Sequence, residues 1–132
     1  MSRRRQMLSA EIAMAKQRRD EMKDYLFQAI LSLETIDDCY DFFDDLCTIK
    51  ELSEMAKRVC CAKMLDDNRI YTEITEMTGL SAATISRVNR CLNYGSDGYS
   101  EVLKRLAERG IKSPADGVKA DAGDVGKEGS NG

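Results

Sequence analysis

The chain has 132 residues, a formal net charge of −3 and no histidine. This length fits one domain with a modest core, and the lack of histidine removes the commonest general base and a common zinc ligand. No stretch approaches the roughly 20 apolar residues of a membrane span, and the basic start leads into no apolar secretory segment. These features disfavour enzymes and membrane proteins and predict a cytoplasmic protein.

Charge is distributed unevenly along the chain. Residues 1–24 carry seven Arg or Lys against four Asp or Glu, residues 34–46 carry six acids and no base, and residues 78–96 carry two bases and no acid. A DNA-binding surface needs local positive potential, which an acidic molecule can still provide. The acidic segment is therefore expected to face away from any nucleic acid.

The five cysteines do not form a metal-binding pattern. An odd count without a secretory signal indicates a reducing compartment. Zinc is disfavoured because no Cys-x-x-Cys pair is present and the adjacent Cys60 and Cys61 cannot both face one site from a helix. We expect no metal and no cofactor, and we expect small core residues at Cys39, Cys47, Cys60, Cys61 and Cys91.

The first 33 residues combine a basic arm, residues 1–20, with a helix predicted from about 10 to 33 by the spacing of its apolar residues. The arm can touch phosphates or enter a minor groove. It can also be a solvated terminus without specific contacts, which is the preferred interpretation.

Two further helices are predicted by their N-terminal caps. Thr35 can cap a helix whose acids suit the positive end of the helix dipole. Residues 48–51, Thr-Ile-Lys-Glu, form a capping box for a third helix that should end near Leu65, before a turn. The apolar stripes of these helices can be buried inside one subunit or partly between two.

Residues 71–93 have the pattern of a helix-turn-helix. We predict a helix over 71–78, a turn at Gly79, where glycine adopts a positive φ at little cost, and a second helix over 82–93 capped by Ser81. The apolar residues that two crossed helices need are Ile74, Met77, Leu80, Ile85, Val88 and Leu92. The second helix of such a motif enters the DNA major groove. The alternative is an ordinary helical hairpin with surface arginines.

The exposed face of the second helix supplies candidate DNA contacts. We expect Ala82, Ala83 and Ser86 to read bases, because small side chains allow close approach and alanine can contact a thymine methyl. Arg87 is expected at a guanine or a phosphate. The candidates for contacts to the DNA backbone are Thr72, Ser81, Arg90 and, just before the first helix, Arg69.

The remaining residues complete three predicted regions. Ser100 is expected to cap a short helix that Gly110 ends. A helical DNA-binding domain is predicted over 21–110, between the arm and a disordered tail over 111–132, which holds the only proline and five of the nine glycines.

Two segments resemble a known family. Residues 46–52 read Leu-Cys-Thr-Ile-Lys-Glu-Leu, and residues 83–99 read Ala-Thr-Ile-Ser-Arg-Val-Asn-Arg-Cys-Leu-Asn-Tyr-Gly-Ser-Asp-Gly-Tyr. They closely resemble the YerC/YecD branch of the Trp-repressor-like family, over roughly residues 22–106. The resemblance implies an all-α, intertwined helical homodimer and a DNA-binding transcription factor. The main hypothesis is therefore a regulator, acting as a repressor, that binds double-stranded DNA at a pseudo-palindromic operator.

The resemblance also bears on the effector. In Trp repressor the effector lies between two arginines and under a glycine. Arg87 matches one arginine, Lys57 stands at the other, Val88 replaces the glycine and Cys47 stands at a threonine position. We predict that tryptophan does not bind, because a branched side chain fills the space of the indole ring, and we leave the effector unassigned.

The alternative to DNA binding is a helical protein-interaction module that uses the acidic 34–46 face. An enzyme is not expected, since the sequence shows no nucleophile–base set, metal-ligand set or phosphate-binding loop.

Overall fold

The computed structural model describes residues 8–11 and 20–117, which contain helices and turns and no strand. The chain folds into two compact units, with the boundary between Thr48 and Ile49. We call them the N-terminal and the C-terminal unit. In the described part of the chain, no helix is long and apolar enough to cross a membrane.

The N-terminal unit contains α1, Glu21–Leu31, and α2, Ile36–Leu46. Asp20 lies in extended backbone, and its carboxylate accepts a hydrogen bond from the Lys23 amide at 2.7 Å, so α1 begins there. Residues 8–11 are helical, whereas 12–19 lie outside the described residues. The prediction of one continuous helix from about 10 to 33 is therefore wrong at Asp20, because its side chain caps a new helix.

The cap predicted for α2 is confirmed. The Thr35 hydroxyl accepts from the Asp38 amide at 3.0 Å, and the Asp38 carboxylate accepts from the amides of Glu34 and Thr35 at 3.0 and 3.3 Å. These bonds, led by the one from Glu34, hold the pKa of Asp38 below its ordinary value. The cap fixes where α2 starts and thus which residues share its apolar face.

No residue of α1 or α2 is buried within the chain. The large apolar side chains exposed on these helices are Met22, Tyr25, Phe27, Leu31, Ile36, Tyr40 and Leu46. The N-terminal unit thus presents an apolar surface that it does not cover itself.

The C-terminal unit is built around a long helix. The elements are α3, Ile49–Asp66; α4, Tyr71–Thr78; α5, Ala82–Tyr94; α6, Gly98–Glu108; and a 3₁₀ turn, Pro114–Gly117. Helix α3 contacts each of the others. The core consists of Cys61, Ala62, Met64, Ile74, Leu80, Ile85, Val88, Leu103 and Ala115. The predicted bounds of α3, α4 and α5 are confirmed to within one residue.

Two details of this unit differ from the sequence predictions. Met77 is 38% exposed, and its neighbour Thr78 is buried instead. Burial of this hydroxyl is tolerated because it donates to the Ile74 carbonyl at 2.7 Å and accepts from the Leu80 amide at 3.1 Å. The predicted cap at Ser100 is wrong, since α6 already begins at Gly98, after Asp97 turns the chain with a φ of 66°.

The start of the disordered tail, predicted at residue 111, is placed too early. Residues 113–117, here called the C-terminal hook, fold back on α3 and place Ala115 in the core at 1% exposure. The Asp116 carboxylate accepts from the Ser113 amide at 2.9 Å and lies 3.5 Å from the Lys63 ammonium. Residues 118–132 lie outside the described residues, so the disorder predicted for them and the three-region division of the chain stay predictions.

Candidate nucleic-acid interface

The turn between α4 and α5 has the backbone geometry that the sequence predicts. Gly79 has a φ of 77°, and its amide donates to the Thr75 carbonyl at 2.7 Å. The Thr75 hydroxyl donates to the Leu80 carbonyl at 3.2 Å, which adds a second link across the turn. A β-carbon at Gly79 would meet nothing within 4 Å, so glycine is favoured there by its φ rather than by crowding.

Helix α5 is fixed at its start and along its buried face. The Ser81 hydroxyl accepts from the Thr84 amide at 3.2 Å, which confirms the predicted cap. Ile85 and Val88 are 0% and 2% exposed and anchor the helix in the core. Because an α-helix repeats every 3.6 residues, these anchors turn the opposite face outward.

Seven of the eight predicted contact residues are exposed in the C-terminal unit. They are Thr72, Ser81, Ala82, Ala83, Ser86, Arg87 and Arg90. Five of them lie on α5, where small side chains at the first turn are followed by the two arginines. Because the side chains in its first turn are small, the N-terminal end of α5 can approach another molecule closely.

Arg69 is the exception among the predicted contacts. Its Nε donates to the Glu73 carboxylate at 3.0 Å, and the two side chains are only 15% and 11% exposed. The same carboxylate accepts from the Ile70 amide at 3.2 Å. Arg69 therefore stabilises the start of α4 through its Nε, and its predicted phosphate contact stays a prediction.

The positive charge on α5 is unpaired. In the described ranges, neither Arg87 nor Arg90 forms an ion pair, and α5 carries no acid in its first turn. A guanidinium without a carboxylate partner is available to bind a phosphate or the edge of a guanine base.

One residue on this surface was missed by the sequence analysis. The Tyr71 hydroxyl, on the first residue of α4, lies 3.5 Å from the Ser86 hydroxyl on α5. The two residues are fifteen positions apart, and no local pattern pairs them.

A cavity of about 330 Å³ lies beside α5 in the C-terminal unit. Its lining residues are Glu54, Arg58, Thr84, Arg87, Val88, Cys91 and Tyr99. The family resemblance places Lys57 at the second arginine position, whereas the neighbouring Arg58 is the residue that lines this cavity together with Arg87. Val88 forms part of the wall, so it narrows the space beside α5 without closing it.

Comparison with known proteins identifies this arrangement. The family model described as Trp repressor protein matches residues 21–107. The chain belongs to the Trp repressor family. The match spans α1 to α6 and leaves the C-terminal hook outside, and it confirms the resemblance seen in residues 46–52 and 83–99.

Individual relatives agree with this assignment. The uncharacterized protein YerC of Bacillus subtilis (strain 168) is 51% identical over 90 residues, which cover 68% of this chain and 86% of that protein. This relative confirms the YerC branch.

Solved structures confirm the all-α fold. A TrpR-like protein from Eubacterium eligens is 49% identical, with a TM-score of 0.68 over 74% of this chain and 99% of the other. A Trp repressor candidate from Staphylococcus aureus is 43% identical, with a TM-score of 0.66 over 70% and 92% of the two chains.

Proposed function

We propose that the protein is a homodimeric, sequence-specific DNA-binding transcription regulator that inserts α5 into the major groove of a pseudo-palindromic operator. One observation carries this proposal. Helix α5 follows a tight turn at Gly79, buries one face through Ile85 and Val88, and exposes small side chains followed by two unpaired arginines. Family membership supports the same conclusion.

The predicted contact residues of α5 have distinct roles in this proposal. Ala82, Ala83 and Ser86 approach base edges, Arg87 binds a guanine or a phosphate, and Arg90 binds a phosphate. Thr72 and Ser81 add hydrogen bonds to the DNA backbone. Arg69 is omitted, because its Nε already donates to Glu73.

The uncovered apolar surface of α1 and α2 supports a homodimer. Large apolar side chains exposed together on neighbouring helices are typical of protein–protein contacts, and no residue of either helix is buried within the chain. One recognition helix reads only three or four base pairs, whereas a two-fold dimer reads two half-sites one helical turn apart.

The Arg87→Ala variant tests the assigned DNA face. We expect weaker binding to the preferred site and a loss of discrimination at one base pair of about 1–3 kcal/mol, the usual value of a bidentate contact to a base. Fluorescence anisotropy with the preferred duplex and single-base variants of it measures both effects.

Arg109→Ala is the matched control, because it removes the same charge from an exposed position outside the helix-turn-helix. Unchanged affinity and selectivity in Arg87→Ala would show that α5 does not present this face to DNA.

A further inference from the structure

The hydroxyls of Tyr71 and Ser86 lie side by side on the exposed surface of the helix-turn-helix. Tyr71 is the first residue of α4 and is 37% exposed, and Ser86 lies on the outward face of α5. Their oxygens are 3.5 Å apart, whereas an O–H···O hydrogen bond usually spans about 2.7–2.8 Å. The contact is therefore a long, weak hydrogen bond in which the Ser86 hydroxyl donates to the Tyr71 oxygen. Tyr71 keeps its own proton, and the Ser86 hydroxyl can rotate to donate to a stronger acceptor.

Two adjacent donors suit a ligand atom that only accepts hydrogen bonds. A phosphate oxygen is such an acceptor, and its negative charge strengthens each bond. In a helix-turn-helix the first helix crosses the DNA backbone while the second lies in the groove. Tyr71 lies at the start of α4 and Ser86 in the middle of α5. The pair is therefore expected at the edge of the major groove, next to the DNA backbone.

We propose that Tyr71 and Ser86 jointly bind one phosphate oxygen of the DNA backbone and so set the orientation of α5 in the groove. This inference rests on the proposed function. It adds Tyr71 to the interface and moves Ser86 from reading a base to binding the backbone.

A double-mutant cycle tests the pair. Binding of the full-length wild type, Tyr71→Phe, Ser86→Ala and the double variant is measured on the preferred duplex and on a scrambled duplex over a series of salt concentrations. Each single variant should lose about tenfold in affinity per half-site, and thus about a hundredfold for the dimer, the lower end for a hydrogen bond to a charged group in each subunit. The loss should be similar on both duplexes, and the double variant should lose less than the product of the two single losses.

The salt dependence separates this contact from those of the arginines. A neutral hydroxyl does not contribute to the release of counterions when the protein binds DNA. The slope of log affinity against log salt concentration should therefore be unchanged in Tyr71→Phe. Arg90→Gln should reduce that slope by about 1.8, because the dimer loses one phosphate contact in each half-site. Ser100→Ala is the matched control for Ser86→Ala, since Ser100 is an exposed serine on α6, outside the helix-turn-helix, and loses the same hydroxyl. The melting temperatures of both serine variants should be the same, because both hydroxyls are exposed.

Three results would overturn the inference. They are wild-type affinity in Tyr71→Phe, a loss confined to one base position of the preferred site, and single losses that multiply in the double variant. If the wild type itself binds neither duplex, the proposed function falls together with this inference. If the wild type binds and Tyr71→Phe binds equally well, only the inference falls.

Discussion

Val88 decides what the cavity beside α5 can hold. Its side chain is 2% exposed and contributes to the cavity wall next to Arg87 and Arg58. Because two arginines line the cavity, its charge does not disfavour the tryptophan carboxylate, and we expect the branched side chain of Val88 to exclude the indole ring.

Tryptophan is predicted not to bind the wild-type protein, even at millimolar concentration, because the indole ring would overlap Val88. Isothermal titration calorimetry measures this directly. Val88→Gly should gain measurable affinity, whereas Val88→Ile, which stays branched, should not. The glycine variant will also be less stable, since glycine inside a helix costs about 1 kcal/mol relative to alanine and a buried side chain is lost. Micromolar binding by the wild type would contradict the prediction.

At the scale of the element, the C-terminal hook is an addition beyond the residues that match the family model. Its attachment combines the buried methyl group of Ala115 with hydrogen bonds around Asp116. The Ser113 amide is the main cause that lowers the pKa of Asp116, and Lys63 adds to it. The pKa of Lys63 is raised, chiefly by its bond to Asp67 and also by Asp116. The hook is therefore expected to hold to α3 more firmly when Asp116 is ionised.

Asp116→Asn should destabilise the protein in a pH-dependent way. Because folding lowers the pKa of Asp116 below its ordinary value of 3.8, the ionised group stabilises the folded state above that value, and the benefit is lost as the pH falls through the folded pKa. Urea unfolding should show a lower midpoint for the variant at neutral pH and no difference from the wild type in strong acid. Asp44→Asn, which removes an exposed carboxylate from α2, is the control. A difference that persists in strong acid would contradict this account.

The sequence predicts elements well where local signals are dense. Helices α3, α4 and α5 have periodic apolar residues and clear ends, such as Gly79 and Ser81, so their bounds could be predicted. The break at Asp20 and the docking of Ala115 could not, because one depends on a side-chain cap inside a charged segment and the other on a distant contact with the core. The site shows the same division. The outward face of α5 follows from its periodicity, whereas the Arg69–Glu73 pair and the approach of Tyr71 to Ser86 require the folded structure.

At the scale of the whole molecule, the proposed regulator has an uncovered apolar surface on α1 and α2 for dimerisation and a recognition helix, α5, in the C-terminal unit. An overall charge of −3 is compatible with DNA binding only if the positive charge is concentrated where the DNA lies. The stretch from Thr78 to Ser96 meets that condition, with two bases and no acid. By contrast, residues 34–46, which include α2, carry six acids and no base.

The most direct test of the central claim is selection of bound duplexes from a random DNA pool by the full-length protein. We predict enrichment of a pseudo-palindrome whose half-sites lie about 10 base pairs apart from centre to centre, the spacing of two recognition helices on one face of the duplex. Ala83→Asp, which places a carboxylate on the exposed face of α5, should abolish the enrichment without unfolding the protein. A pool in which the wild type enriches no sequence, or enriches the same sequences as Ala83→Asp, would contradict the account.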